Sequence, residues 1–249
     1  MLERDTRNGV TIVRLTHGKV NAFDTELMHA LSSELTSLTN AAGVVLTGTG
    51  TIFSAGVDLH RLAEGGRPYV DCFLPAFGDA FLKALTFPRP LVAAVNGHAI
   101  AGGCILACAC DYRVMAAGAG RIGTPELMVG VPFPSIAIEV LRLVVPPDRL
   151  QRLVYLGKSY QPEEALQEGL IDEVVSADAL IDRAVDVASR LGKSPSASFA
   201  LTKRLIRQPS QDRVTRYARS IDEEVLEAWA DPAAQEAVRA YVERTLKKS

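Results

Sequence analysis

No sign of charge dominates this chain. Its 27 Lys and Arg face 29 Asp and Glu, for a formal net charge of −2, and no long basic run stands out. Nucleic acid and an anionic membrane surface are therefore not expected as partners. Long apolar runs are missing as well: none reaches bilayer-spanning length. The N-terminal MLERDTRNG lacks the charged-then-apolar order of a secretion signal. A cytoplasmic, reduced protein is expected. Cysteine is scarce, with Cys72, Cys104, Cys108 and Cys110 and no Cys-x-x-Cys pair, so no metal site is expected. Two glycine patterns are incomplete. Thr47-Gly48-Thr49-Gly50 begins like a dinucleotide loop, but Phe53 stands where the third glycine belongs. No Gly-x-Ser-x-Gly elbow surrounds Ser54, which removes that hydrolase class. No repeat of fixed period is visible.

What is present is ordinary for a globular enzyme: 249 residues, 48% hydrophobic and 22% charged, enough for one large core with a smaller appendage. Leu91–Asp111 is its centre of gravity. Leu91–Val95 reads as a buried strand, Asn96-Gly97 breaks it, and Gly102-Gly103 open an Ala- and Cys-rich buried helix. Glycine lets a ligand approach the backbone closely. The first N–H groups of a helix lack partners and carry the positive end of its dipole. Together they make a place for a developing negative charge.

Strands are expected at Val10–Leu15, Gly43–Leu46, Tyr112–Ala116 and Leu170–Val175. Helices are expected from Asp24 or Thr25 to about Asn40, from Asp58 as a cap, and over Tyr69–Leu85 after a flexible Gly65-Gly66-Arg67-Pro68. Thr124-Pro125-Glu126 reads as a helix start, with Thr124 as its cap. After about Ala177 the chain reads as helix, with breaks at Ser194-Pro195, Gln208-Pro209 and Asp231-Pro232. Strands alternating with helices and then an all-helical end predict an α/β core with a helical C-terminal region.

The segments FSAGVDL, VAAVNGHAIAGGC, CDYRV, IGTPELMVGVP and EEALQEGLIDEVV resemble, in order, those of the crotonase, or enoyl-CoA hydratase/isomerase, superfamily. That resemblance implies a spiral of β-β-α turns over residues 1–190 and a helical region, 191–249, that builds trimers or hexamers. It implies an acyl-CoA thioester substrate, with coenzyme A as part of the substrate and no separate cofactor. An enolate would form in an oxyanion hole made of the backbone N–H groups of Val57 and Gly102. Ala55, Gly56, Asp58, Leu59 and Gly103 are carried over as residues flanking the substrate groove. Glu126 matches the family's acid/base glutamate, although an acid there also stabilises a helix start. Lys203 is a candidate for a CoA phosphate.

The departures from the family bear on reaction type. Hydratases carry a second glutamate where this chain has Ile105, and other members place an acid where it has Pro134. Glu139, Glu64, His60 and His98 are poorer substitutes. With one acid, an isomerase moving a 3-enoyl double bond to the 2-position is expected. A hydratase with an unrecognised second acid and a silent acyl-CoA-binding protein are the alternatives. Gly65–Pro75, with Tyr69, Val70, Phe73 and Leu74, is the expected lid. Leu201, Leu205, Ile206, Val225, Leu226 and Trp229 are expected to be buried, against the core or a neighbouring chain.

Overall fold

The computed structural model describes residues 1–218 and 220–245. The chain opens with a hairpin of β1 (Leu2–Arg7) and β2 (Val10–Leu15). Asn8 and Gly9 turn it, both at positive φ (52° and 79°), as a two-residue hairpin loop requires. The alternating apolar pattern marks only β2. β1 is almost wholly exposed, and Glu3, Arg4, Asp5 and Arg7 along it discourage pairing with another chain. α1 (Thr25–Ser37) follows, capped by Asp24, whose carboxylate accepts the Leu27 N–H at 2.8 Å.

From there the chain winds as a spiral. Each turn lays one strand in a large sheet, the next in a small sheet, and then forms a helix. β3 (Val44–Thr47), β4 (Ile52–Ser54) and α2 (Leu59–Thr86) make the first turn. The second is β5 (Leu91–Val95), β6 (His98–Ile100) and α3 (Gly102–Ala109). The third is β7 (Tyr112–Ala116), β8 (Ile122–Gly123) and α4 (Glu126–Val129). Then come α5 (Ser135–Val144), α6 (Pro147–Leu156), β9 (Ser159–Tyr160), α7 (Pro162–Glu168) and β10 (Glu173–Val175). The helical end comprises α8 (Leu180–Leu191), α9 (Ser196–Tyr217), α10 (Ile221–Ala230) and α11 (Pro232–Thr245).

The large sheet runs β1-β2-β3-β5-β7-β10 and is parallel apart from β1. The small sheet runs β4-β6-β8-β9 and is parallel apart from β9. Both faces of the large sheet's central strands, β3 and β5, are buried. Leu46, Ala93 and Val95 face the main core, while Val45, Val92 and Ala94 pack beneath Ala184 and Ala188 of α8. That double burial is why these strands read as unbroken apolar runs. β6 and β8 are only three and two residues long, too short to carry a pattern of their own.

Two helix expectations change. α2 is broken at Gly66 (φ 53°, ψ −148°), where the glycine-rich segment was read, but helix resumes on both sides of that residue. Pro209 breaks nothing: α9 runs through it. The bond that Pro209 cannot make belongs to the carbonyl of Leu205, which is 72% exposed and can turn to water. α10 and α11 fold back onto α2, and α9 packs on α5. Residues 246–249 of the expected C-terminal region lie outside the described residues.

Candidate active site

The three parallel strands of the small sheet end side by side, and each delivers one residue to a common point. Ser54 ends β4 and Val57 follows; Ile100 ends β6 and Gly102 follows; Gly123 ends β8 and Glu126 follows. The carboxyl ends of adjacent parallel strands are where open α/β folds place their ligands.

The first elbow, Ala55-Gly56-Val57, is held against the segment before α1. Phe23 N–H donates to Gly56 O at 2.7 Å, and Asp58 N–H donates to Phe23 O at 2.9 Å. In such a parallel bridge the N–H of the middle residue, Val57, points to the opposite side. Asn21, buried at φ 49°, ties this segment down by donating from Nδ2 to Phe53 O at 3.2 Å and accepting the His17 N–H at 2.8 Å. Ser54 Oγ donates to Asn21 O at 2.7 Å and accepts from Gly56 N–H at 3.0 Å. Ser54 is thus a structural hydroxyl. Gly56 has φ 82°, and a Cβ there would sit 2.6 Å from Ile100 O, so the two elbows touch directly.

The second elbow turns on Ala101, a non-glycine residue at φ 52° and ψ −124°. Its N–H donates to Gly123 O at 2.8 Å, pinning it to the third strand. This conformation costs an L-residue on the order of 1–3 kcal/mol and persists because its surroundings hold it. It sets Gly102 as the first residue of α3, where the N–H has no partner within the helix. A Cβ on Gly102 would lie 3.0 Å from Phe23 and 3.3 Å from Phe77.

Glu126 opens α4 and is buried. Its Oε2 has no hydrogen-bond partner among the described residues. Burial pushes its carboxyl up to about 8, against a smaller lowering by its own backbone N–H. The expected cap does not form: Pro125 occupies the cap position, and Thr124 Oγ1 is buried and unbonded.

Val57, Gly102 and Glu126 line one slot, closed by Leu74 and Phe77 of α2, Pro134 and Ala137 at α5, and Trp229 of α10. Its cavity volume is about 10 Å³, room for about one water. Glu126 is the one titratable side chain among the described residues that line it. Trp229 is fixed by donating from Nε1 to Pro132 O at 2.8 Å. The sequence marks Trp229 only as a residue to be buried, and does not mark Phe77 or Ala137 at all. The signal for Phe77 is the helical spacing that places Phe73, Phe77 and Phe81 along one face of α2.

Other expected site residues stand outside the slot. Ala55 is exposed, Asp58 caps α2 by accepting the His60 and Arg61 N–H groups, and Leu59 is half-buried beside it. Gly103 faces the core: a Cβ there would meet Ser54 O at 2.4 Å, so its smallness serves packing against β4, not a groove. Lys203 does not reach out for a phosphate. It is buried, with Nζ 2.7 Å from Asp111 and 3.2 Å from Arg89 O, and burial lowers it to about 8 despite the neighbouring carboxylate. Glu139 is spent on Arg213 and Arg142, while Glu64 and His60 are exposed. No cluster of metal-ligating residues occurs among the described residues, nor any helix long and apolar enough to cross a membrane.

The enoyl-CoA hydratase/isomerase family profile matches residues 5–248. The chain belongs to the enoyl-CoA hydratase/isomerase family. Mouse mitochondrial enoyl-CoA delta isomerase 1 is 28% identical over 253 residues, covering 100% of this chain and 88% of the relative. Carnitinyl-CoA dehydratase of Salmonella paratyphi A is 33% identical over 223 residues, covering 86% of this chain and 85% of its own. The crystal structure of human mitochondrial delta3-delta2-enoyl-CoA isomerase superposes with a TM-score of 0.95 at 25% identity, over 100% of this chain and 99% of that one. The spiral of β-β-α turns is therefore the crotonase fold, and the protein is an enzyme of the enoyl-CoA hydratase/isomerase family. In this family member, the two positions that resemblance marks for a second acid hold Ile105, fully buried in α3, and Pro134, part of the slot wall.

Proposed function

We propose that this enzyme moves the double bond of a 3-enoyl-CoA to the 2-position, with Glu126 as its single proton carrier. The thioester oxygen sits between the Val57 and Gly102 N–H groups. Glu126 takes a proton from C2, the electron pair passes to the oxygen as an enolate, and the same carboxyl returns the proton at C4. Fixed donors aimed at a forming oxyanion supply the largest part of such catalysis. A carboxyl near 8 can both accept and donate close to neutral pH. Hydration would need a second group to hold water, and the slot lining supplies none among the described residues. The observation that carries the reading is that pairing of one titratable side chain with two backbone donors inside apolar walls. Because the slot is nearly closed, the apolar wall retracts when the acyl group enters.

Coenzyme A enters as part of the substrate, and the scheme needs no other cofactor. The region from residue 191 onward is assigned to a trimer or a dimer of trimers. Leu201, Leu205 and Ile206 of α9 support this, being 50%, 72% and 64% exposed, whereas Val225 and Trp229 are buried on the chain's own core. A cytoplasmic location belongs with this proposal, and cell fractionation tests it.

The test measures 3-hexenoyl-CoA isomerisation and crotonyl-CoA hydration on one preparation, for wild type and Glu126→Gln. Isomerisation well above hydration, and its loss in the variant, are expected. Hydration the faster of the two, or full isomerisation in Glu126→Gln, overturns the proposal.

A further inference from the structure

Gly78 lies in the middle of α2, a position where glycine costs a helix about 1 kcal/mol relative to alanine. Its backbone needs no glycine, being ordinary helix at negative φ, and a Cβ there would meet nothing within 4 Å. Packing therefore does not ask for it. The buried glycines Gly56, Gly102 and Gly103 each have a close neighbour where a Cβ would sit, whereas Gly78 is half-buried without one. Gly78 instead faces empty space.

That space is a groove of about 360 Å³ between α2, the start of α5, and the facing ends of α9 and α10. Leu82, Ile136, Val214, Val225 and Leu226 give it a mostly apolar lining. Two of its acids are already engaged: Asp222 accepts from Ser135 N–H and Oγ, and Asp79 pairs with Lys83. The groove adjoins the slot, sharing Leu74 and Pro134 with it, and Ile136 and Ala137 are chain neighbours on either side of that wall. The slot itself, with room for about one water, cannot take an acyl tail.

We propose that this groove receives the acyl tail, and that Gly78 sets the chain length the enzyme accepts by leaving the groove open. The inference rests on the reading that the thioester lies in the slot. Leu74 and Pro134 form the threshold, so retraction of Leu74 joins slot and groove into one apolar path. Medium-chain acyl groups, with an unbranched apolar tail reaching beyond the slot, are the ligands that this shape and lining fit. Each methylene buried there strengthens binding up to about fourfold, the equivalent of ~0.8 kcal/mol.

Calorimetry with butanoyl-CoA and dodecanoyl-CoA, neither of which reacts, tests this without relying on turnover. Wild type should bind dodecanoyl-CoA at least tenfold more tightly. Gly78→Leu, which fills the groove from α2, and Leu226→Trp, which fills it from α10, should each cut that ratio at least tenfold. Gly78→Ala, which adds only one methyl group, should cut it far less. The same order should appear in the ratio of kcat/KM for 3-dodecenoyl-CoA over 3-hexenoyl-CoA. A wild-type ratio near one, or a ratio unmoved by both filling variants while both stay folded, overturns the assignment. So does a change in sedimentation with an unchanged ratio, which would give the groove to a second copy of the chain. Failure to bind either acyl-CoA would overturn the reading of the slot too, whereas tight binding with an unmoved ratio sinks only the groove.

Discussion

Glu126 shows how much one buried side chain can set. With its carboxyl held up to about 8, the folded chain keeps a proton that the unfolded chain loses near the ordinary carboxylate range. Between those two values the folded state binds more protons, so this group's contribution to stability falls as pH rises. Glu126→Gln removes that dependence. The thermal midpoint of the variant relative to wild type should climb from pH 5 to about pH 8 and level off above; parallel curves would contradict it. In the proposed mechanism the same ionisation governs rate. The base is the deprotonated form, so kcat/KM for isomerisation should rise about tenfold per pH unit below about 8 and then flatten. The two proposed oxyanion donors should behave unequally. Val57→Ala keeps the N–H and should stay within about threefold of wild type in kcat. Gly102→Ala sets a Cβ 3.0 Å from Phe23 and should lose on the order of 10²–10³ if the donor shifts. A severe Val57→Ala defect would speak against the backbone geometry.

At the level of elements, the site depends on three very short strands kept in register. β4, β6 and β8 hold the elbows at the same height, and Ala101 links two of them. Ala101→Gly should therefore cost no stability, because relief at φ 52° offsets the usual loss from added glycine. Ala101→Val should cost about 1–3 kcal/mol by strain. Urea unfolding of the two variants distinguishes them, and equal losses would show that the backbone there is unstrained. Much at this scale was legible. Asp24 and Asp58 cap helices where their side chains suggest it, and Gly66 breaks α2 within the segment that looked flexible. Thr124 misled because a cap needs its hydroxyl turned to the helix, and the fold turns Pro125 there instead.

For the molecule as a whole, α9 is anchored through the half-buried Asp111 as well as through Glu139, which pairs with Arg213. Asp111 accepts from Leu91 N–H at 2.8 Å and lies 2.7 Å from Lys203 and 2.8 Å from Arg207. Removing it takes the carboxylate from buried Lys203 and half-buried Arg207, leaving them only backbone carbonyls, and breaking such a pair costs about 3–5 kcal/mol. Asp111→Ala should lower stability by that order and weaken the assembly that α9 is proposed to build. Urea titration and sedimentation velocity read both. A variant as stable as wild type would show that the cluster is hydrated and weakly coupled.

The sequence by itself determined the α/β alternation, the buried central strands and the two elbows, while Glu126 was singled out only by the family resemblance. These are local matters: apolar periodicity, cap chemistry and the freedom of glycine act within a few residues. Only the tertiary structure decided what meets in the slot. Phe77, Pro134, Ala137 and Trp229 come from helices separated by up to about 150 residues of chain, and no short-range pattern joins them. The same holds for Lys203, a candidate for a CoA phosphate in the sequence, which α9 packs against Asp111. Burial is a property of the packed molecule, so the acidity of Glu126 and the pairing of Lys203 emerge only when distant elements exclude water from them.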